Sequence, residues 1–207
     1  MKTTWITLAL FSSLALNSTH ILAQDNSNDA QTLFRGGNKI STEKMGFFLA
    51  PQYGVTQLDG SLTSLFHLRG GISFKDKIVY GAFYNTSLNQ VQPQSETLTG
   101  IYMDYWTLGG FAEYSLLSKK LLHLSFPIYF GYGEVQMDNE QGDAGLVEAS
   151  FFKIEPAALL EINLHKYVRL NIGAGYRVIS SMNYRNFNQS DISGLTGYVG
   201  LKFGLFR

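Results

Sequence analysis

The chain has no cysteine. That excludes disulfides, thiolate metal sites, a cysteine nucleophile and an N-terminal lipid anchor. Charge is scarce as well, at 15% of 207 residues, where an ordinary soluble domain carries ~25%. Sixteen basic and sixteen acidic residues cancel, which leaves no basic footprint for nucleic acid. Proline occurs four times. Beyond the N-terminus no apolar run approaches the ~20 residues of a membrane helix. What the chain does have is 12 Tyr, 15 Phe and 21 Gly. That mixture points to a strand-rich, tightly curved protein of one domain.

The first residues, MKTTWITLALFSSLALNSTHILAQ, set Lys2 before an apolar core from Trp5 to Leu16 and a polar stretch leading to Ala23. This is the pattern of a secretory signal peptide over residues 1–23, cut after Ala23. Its apolar core is too short to span a membrane. Residues 24–43 are polar and aperiodic, as in a flexible periplasmic lead-in. Residues 44–207 form the remaining unit.

Within that unit the chain alternates apolar and polar positions in eight segments, the signature of half-buried strands. RLNIGAGYRV is the clearest: Leu170, Ile172, Ala174, Tyr176 and Val178 fall on one side, and Arg169, Asn171, Gly173, Gly175 and Arg177 on the other. The others are FFLAPQYGV, TSLFHLRGGISF, IVYGAFYNTS, DYWTLGGFAEYSL, LLHLSFPIYFGYG, FFKIEPAALLEIN and GLTGYVGLKFGLF; IVYGAFYNTS reads in either register. Each is long enough for the ~9–11 tilted residues that cross a bilayer as a strand. Connections at 75–77, 118–120 and 164–166 are tight. Those near 57–61, 87–98, 134–146 and 181–193 read as longer and polar. Short turns on one side and longer loops on the other is the pattern of an outer-membrane barrel with both termini in the periplasm.

Ionisable residues collect on one face: His67, Arg69, Glu113, His123, Lys153, Glu155, Glu161, Arg169, Arg177 and Lys202. Glycines accompany them, as a crowded lumen requires. An eight-stranded lumen holds only side chains or one small ligand, so the bulky apolar face must be the exterior and its solvent lipid. The charged face then fills the lumen. There Glu113, Glu155 and Glu161 are expected to pair with Arg69, Lys153, Arg169 and Arg177, because a buried charge that loses its partner costs about 3–5 kcal/mol. An arginine on the lipid face at the midplane would cost roughly 2–4 kcal/mol. Pro127 and Pro156 interrupt two segments, and bulges are expected there.

The signal peptide, HLSFPIYFGYG, FFKIEPAALLEINLHKYVRLNIGAGYRV and the closing LTGYVGLKFGLF together resemble the small outer-membrane β-barrels of the OmpA/OmpX-like superfamily, of the "outer membrane protein beta-barrel domain" type. The resemblance covers the chain from about Met45. It implies an all-β, eight-stranded antiparallel up-and-down barrel in the bacterial outer membrane. It also implies contact with outer-membrane lipid and lipopolysaccharide, and delivery by the barrel-insertion machinery. Such barrels commonly end on an aromatic residue; here Phe206 is penultimate.

Other chemistry is weakly signalled. His123-Leu124-Ser125 resembles the His-x-Ser pair of outer-membrane lipid A deacylases, but both residues read as inward-facing near the periplasmic end. His67 and His123 lack further ligands at recognisable spacing for a metal. Asp138, Glu140, Asp143 and Glu148 lack the spacing of a calcium loop. No metal, cofactor or catalytic residue is expected. Tyr102, Tyr105, Trp106, Phe130, Tyr132, Tyr176 and Tyr184 suit interfacial aromatic girdles. The expected function is a charge-plugged monomeric barrel that anchors surface loops in a structural or interaction role, with an extracellular ligand the sequence does not identify. The alternatives are a narrow porin-like channel and, behind it, a lipid-modifying enzyme.

Overall fold

The computed structural model describes residues 45–95, 100–139, 148–180, 182–184 and 187–206. The signal peptide and the 24–43 lead-in expected from sequence lie outside these residues. Eight long strands carry the fold: β1 (Met45–Leu58), β2 (Ser61–Phe74), β3 (Ile78–Ser87), β4 (Ile101–Leu116), β5 (Leu122–Asn139), β6 (Ala149–His165), β7 (Val168–Ile179) and β10 (Gly194–Gly204). Between β7 and β10 lie the two-residue strands β8 (Asn183–Tyr184) and β9 (Phe187–Asn188) and the one-turn helix α1 (Gln189–Ile192). Each long strand pairs antiparallel with its sequence neighbour, and β1 pairs with β10 to close the barrel.

The register fixes the barrel's stagger. Paired residues run one way from Gln52 through His67, Asn85, Thr107 and Gly133 to Phe151. The other way they run from Gln52 through Gly200 and Asn171 to Glu161. Both paths finish on β6, ten residues apart. This shear tilts the strands and decides which inward side chains share a level. It also crowds the wall: a β-carbon at Gly109 would lie 2.2 Å from the Phe130 carbonyl oxygen across the β4–β5 ladder.

Alternation places the two faces as the sequence predicts. In β1, Phe47, Leu49, Tyr53 and Val55 are exposed on the exterior while Phe48, Ala50 and Gln52 are buried. The ambiguous strand resolves with Tyr80 and Tyr84 outside and Val79, Phe83 and Asn85 inside. Asp104 and Glu134 share the exterior parity, but they lie towards the loop end of β4 and β5, above Trp106 and Tyr132.

Three details depart from expectation. The β1–β2 connection is a two-residue turn, Asp59-Gly60, with φ of 45° and 73°. Such a turn matches strand twist, and glycine supplies the left-handed position without strain. Neither proline sits in a bulge. Pairing between β5 and β6 lapses between Ser125/Leu159 and Ile128/Pro156, then resumes in the same register. Pro127 falls in that gap, and Pro156 falls in a matching lapse of the β6–β7 ladder between Ile154/Val178 and Ala157/Gly175; the bulge-like shift lies instead at Asn163/His165 beside the β6–β7 turn. Finally, β4 and β5 pair on to Ile101–Asn139, beyond the last partners that β3 and β6 offer them. This hairpin stands above the rim.

Candidate functional site

The barrel interior gathers every ionisable residue that the alternation turned inward. Towards the end with the short turns, six strands contribute one residue each to a single cluster: Arg69, Glu113, His123, Glu161, Arg169 and Lys202. Glu161 is the hub. One carboxylate oxygen accepts from Lys202 Nζ at 2.8 Å and from Arg69 Nη2 at 3.4 Å. The other faces His123 Nε2 at 3.0 Å and Arg169 Nη1 at 3.6 Å. Glu113 accepts from Arg69, and from Lys202 Nζ at 2.8 Å. Aromatic faces complete the cations' surroundings: Lys202 lies 4.4 Å from the Phe48 ring centre and Arg169 3.8 Å from Phe206. In a low-dielectric interior such multiply shared carboxylates are what makes buried cations tolerable.

Above this cluster lies an aromatic layer. His67, fully buried, stacks on Phe83 at 5.7 Å and receives the ring edges of Tyr129 and Tyr198, each at 5.1 Å. Among the described residues its two ring nitrogens find no hydrogen-bond partner. Lys153 pairs with Glu155 at 2.8 Å, and its ammonium lies 4.8 Å from the Phe83 ring. The Tyr198 hydroxyl donates to Glu155 at 2.5 Å.

Arg177 sits towards the other end, and its partners are neutral. Its Nε donates to the Ile192 carbonyl at 2.8 Å, and its Nη2 to Thr56 Oγ1 at 3.2 Å. The guanidinium lies 5.1 Å from the Tyr105 ring. Around it is a buried apolar cluster of strand ends and loop residues. Leu58, Leu65, Met103, Tyr105, Val135, Met137, Phe151 and Ile179 come from the strands, with Val91, Met182 and Ile192 brought in by the connections. The described parts of the β3–β4 and β7–β10 connections therefore fold over the barrel mouth and join the strand ends in an apolar cap.

The single charge network expected from sequence is thus a six-residue cluster, a Lys153–Glu155 pair and a separately held Arg177. The expected carboxylate partner of Arg177 is replaced by hydroxyl and carbonyl oxygens, because α1 brings the Ile192 carbonyl to it. Tyr105 is fully buried inside and belongs to no exterior girdle. Its parity with Thr107 was available in the sequence, as was that of Met103, had the alternation been followed to the end of the strand. The side chains of Tyr184 and Asp138, and the residues Glu140 and Asp143, fall outside what the structure describes. His123 and Ser125 both face inward, and Ser125 Oγ meets Ser115 Oγ at 3.0 Å, so the two do not form a pair. Among the described residues no three His, Asp or Glu side chains gather as a metal would require.

No protein-family model and no curated protein matches the sequence. Solved structures do. The crystal structure of Neisserial surface protein A superposes with a TM-score of 0.55 at 9% identity, over 78% of this chain and 96% of that one. The outer membrane protein OprG from Pseudomonas aeruginosa gives 0.51 at 10% identity, over 79% and 97%. At such identity the likeness concerns the fold. The chain is an eight-stranded antiparallel barrel of the bacterial outer-membrane type, and lipid is the solvent that suits its apolar exterior.

Proposed function

We propose that the protein is an integral outer-membrane barrel with a plugged lumen, anchoring its loop end at the cell surface in a structural or interaction role. The observation that carries this is the filling of the interior at successive levels: the six-residue charge cluster, the aromatic layer around His67 and the apolar cap. A pore needs a continuous wet path, and each of these levels opposes one. An enzymatic role is not proposed, since the His123–Ser125 pair is inward-facing and separately engaged. The barrel works as a monomer in contact with lipopolysaccharide and phospholipid. It is delivered by the insertion machinery with Phe206 near the recognised end, and its surface ligand is sought at the loops.

One observation favours a narrow channel as the second reading. Within the strands five buried cations face three buried carboxylates, with Asp76 a fourth acid at the turn end, and among the described residues polar atoms of Gln52, His67, Asn85 and Thr107 lack partners. Water could serve them. Planar-bilayer recording separates the two. The refolded mature protein is expected to be silent, and so is its Arg169→Ala/Arg177→Ala variant, which would show lower stability instead. Reproducible anion-selective openings from inserted wild-type protein, altered in the variant, would replace the plugged reading by the channel.

A further inference from the structure

At the short-turn end, a groove of about 380 Å³ opens on the exterior between the β2–β3 and β4–β5 turns. Lys75, Lys77, Lys119 and Lys120 rim it, and Tyr114, Leu116 and Leu117 form its wall. All seven side chains are exposed, Leu117 at 69%. The acid between the first two lysines, Asp76, is buried and lines a different hollow, in the barrel mouth beside Arg169.

The backbone here is unusual. Four non-glycine residues among those described have positive φ, and two of them line this groove: Lys75 at 53° and Leu117 at 57°. A hairpin turn accounts for left-handed backbone at Lys75 and Asp76, but Leu117 lies outside such a pair, and left-handed backbone is disfavoured for an ordinary residue. Glycine would relieve Leu117 entirely. Instead a leucine is held out beside four ammonium groups, an arrangement that water disfavours and a bilayer interface rewards. Lysine stems lie along apolar surface while their heads reach the polar layer.

We infer that this groove binds an anionic phospholipid of the periplasmic leaflet, its phosphodiester among the four lysines and an acyl chain along Tyr114, Leu116 and Leu117. The partner follows from charge and hydropathy together. The lysines select a phosphate, and the wall selects a lipid over a soluble phosphate. The inference rests on the proposed membrane placement, with the short turns in the periplasm.

The test uses the mature barrel refolded into nanodiscs of equal phosphatidylglycerol and phosphatidylcholine, released in the gas phase and weighed with its retained lipid. Wild type is expected to retain phosphatidylglycerol preferentially, and the Lys75→Gln/Lys77→Gln/Lys119→Gln/Lys120→Gln variant to lose about tenfold or more of that preference. A basic residue near an anionic surface contributes a factor of about five. Leu117→Gly relaxes the backbone, so it folds, and it is expected to weaken retention with every lysine in place. Millimolar glycerol phosphate should not compete. Equal retention of both lipids by wild type, or an undiminished preference in the quadruple variant, would overturn the site. Competition by glycerol phosphate would overturn the lipid assignment. Protease protection in phosphatidylcholine vesicles keeps the two readings apart. A barrel that inserts without discriminating refutes the groove alone, and one that fails to insert refutes the membrane placement as well.

Discussion

Glu161 and Arg177 show what a single inward residue costs and contributes. Glu161 is fully buried and shared among Arg69, Lys202, Arg169 and His123. Glu161→Ala removes the only carboxylate that all four approach and leaves Glu113 against three cations. A destabilisation of about 3–5 kcal/mol is expected, read as the loss in urea-unfolding free energy of the barrel in lipid vesicles. Arg177→Ala should cost less, about 1–3 kcal/mol, because its partners are neutral oxygens. Equal losses would mean that charge pairing is not what distinguishes the two sites. Alternation alone told that both residues point inward. It could not tell which was the hub, because Glu161 meets residues up to 92 positions away, and that meeting is set by the shear of the closed wall. Tyr105 carries the same lesson with the opposite sign: its parity was legible, but its aromatic character suggested a girdle.

Among the elements, the strands were legible and the connections were not. Two-residue periodicity is a local property, so eight runs of it could be read directly. The apolar cap depends on where irregular segments return, and Val91, Met182 and Ile192 carry no periodic mark. The prolines were misjudged for a related reason. A bulge answers a missing donor with an extra residue, whereas Pro127 and Pro156 each meet a short lapse in pairing, one in the β5–β6 ladder and one in the β6–β7 ladder, across which the register is kept. The Asp59-Gly60 turn shows how the connections are tied together. Asp59 accepts from the Ser95 amide at 2.6 Å and its hydroxyl at 2.7 Å, and its own amide donates to the Asp191 carbonyl at 2.7 Å. Asp59→Ala keeps the turn and the last of these bonds but frees the β3–β4 connection. The global unfolding free energy is expected to fall by about 1.5–3 kcal/mol, as for hydrogen bonds to a charged, largely buried group. Proteolytic nicking between residues 88 and 95 should rise several-fold, since local opening governs cleavage there. Unchanged nicking would detach Asp59 from the order of that loop.

Across the whole molecule the net charge of zero conceals a separation of sign. Among the described residues, the loop end carries Asp59, Asp104, Glu134, Glu148 and Asp191 with no exposed Lys or Arg. The turn end carries Lys75, Lys77, Lys119, Lys120 and Lys166 against Asp76 alone. Composition could not reveal this, because it appears only once the strands are laid antiparallel and every second connection falls at the same end. The separation bears on orientation. Outer-membrane barrels carry their short turns on the periplasmic side and their longer loops outside, so the lysine-rich end is the one that faces the periplasm in a surface-facing barrel. The chain's lack of cysteine makes the consequence directly measurable. With Gln90→Cys at the loop end and Lys119→Cys at the turn end, both exposed positions, a bulky membrane-impermeant maleimide applied to intact cells is expected to label the first. The second should react only after the outer membrane is permeabilised. Labelling of Lys119→Cys in intact cells would invert the barrel. The acidic crown would then face the periplasm, and the lysine groove would meet the lipopolysaccharide leaflet instead of phospholipid.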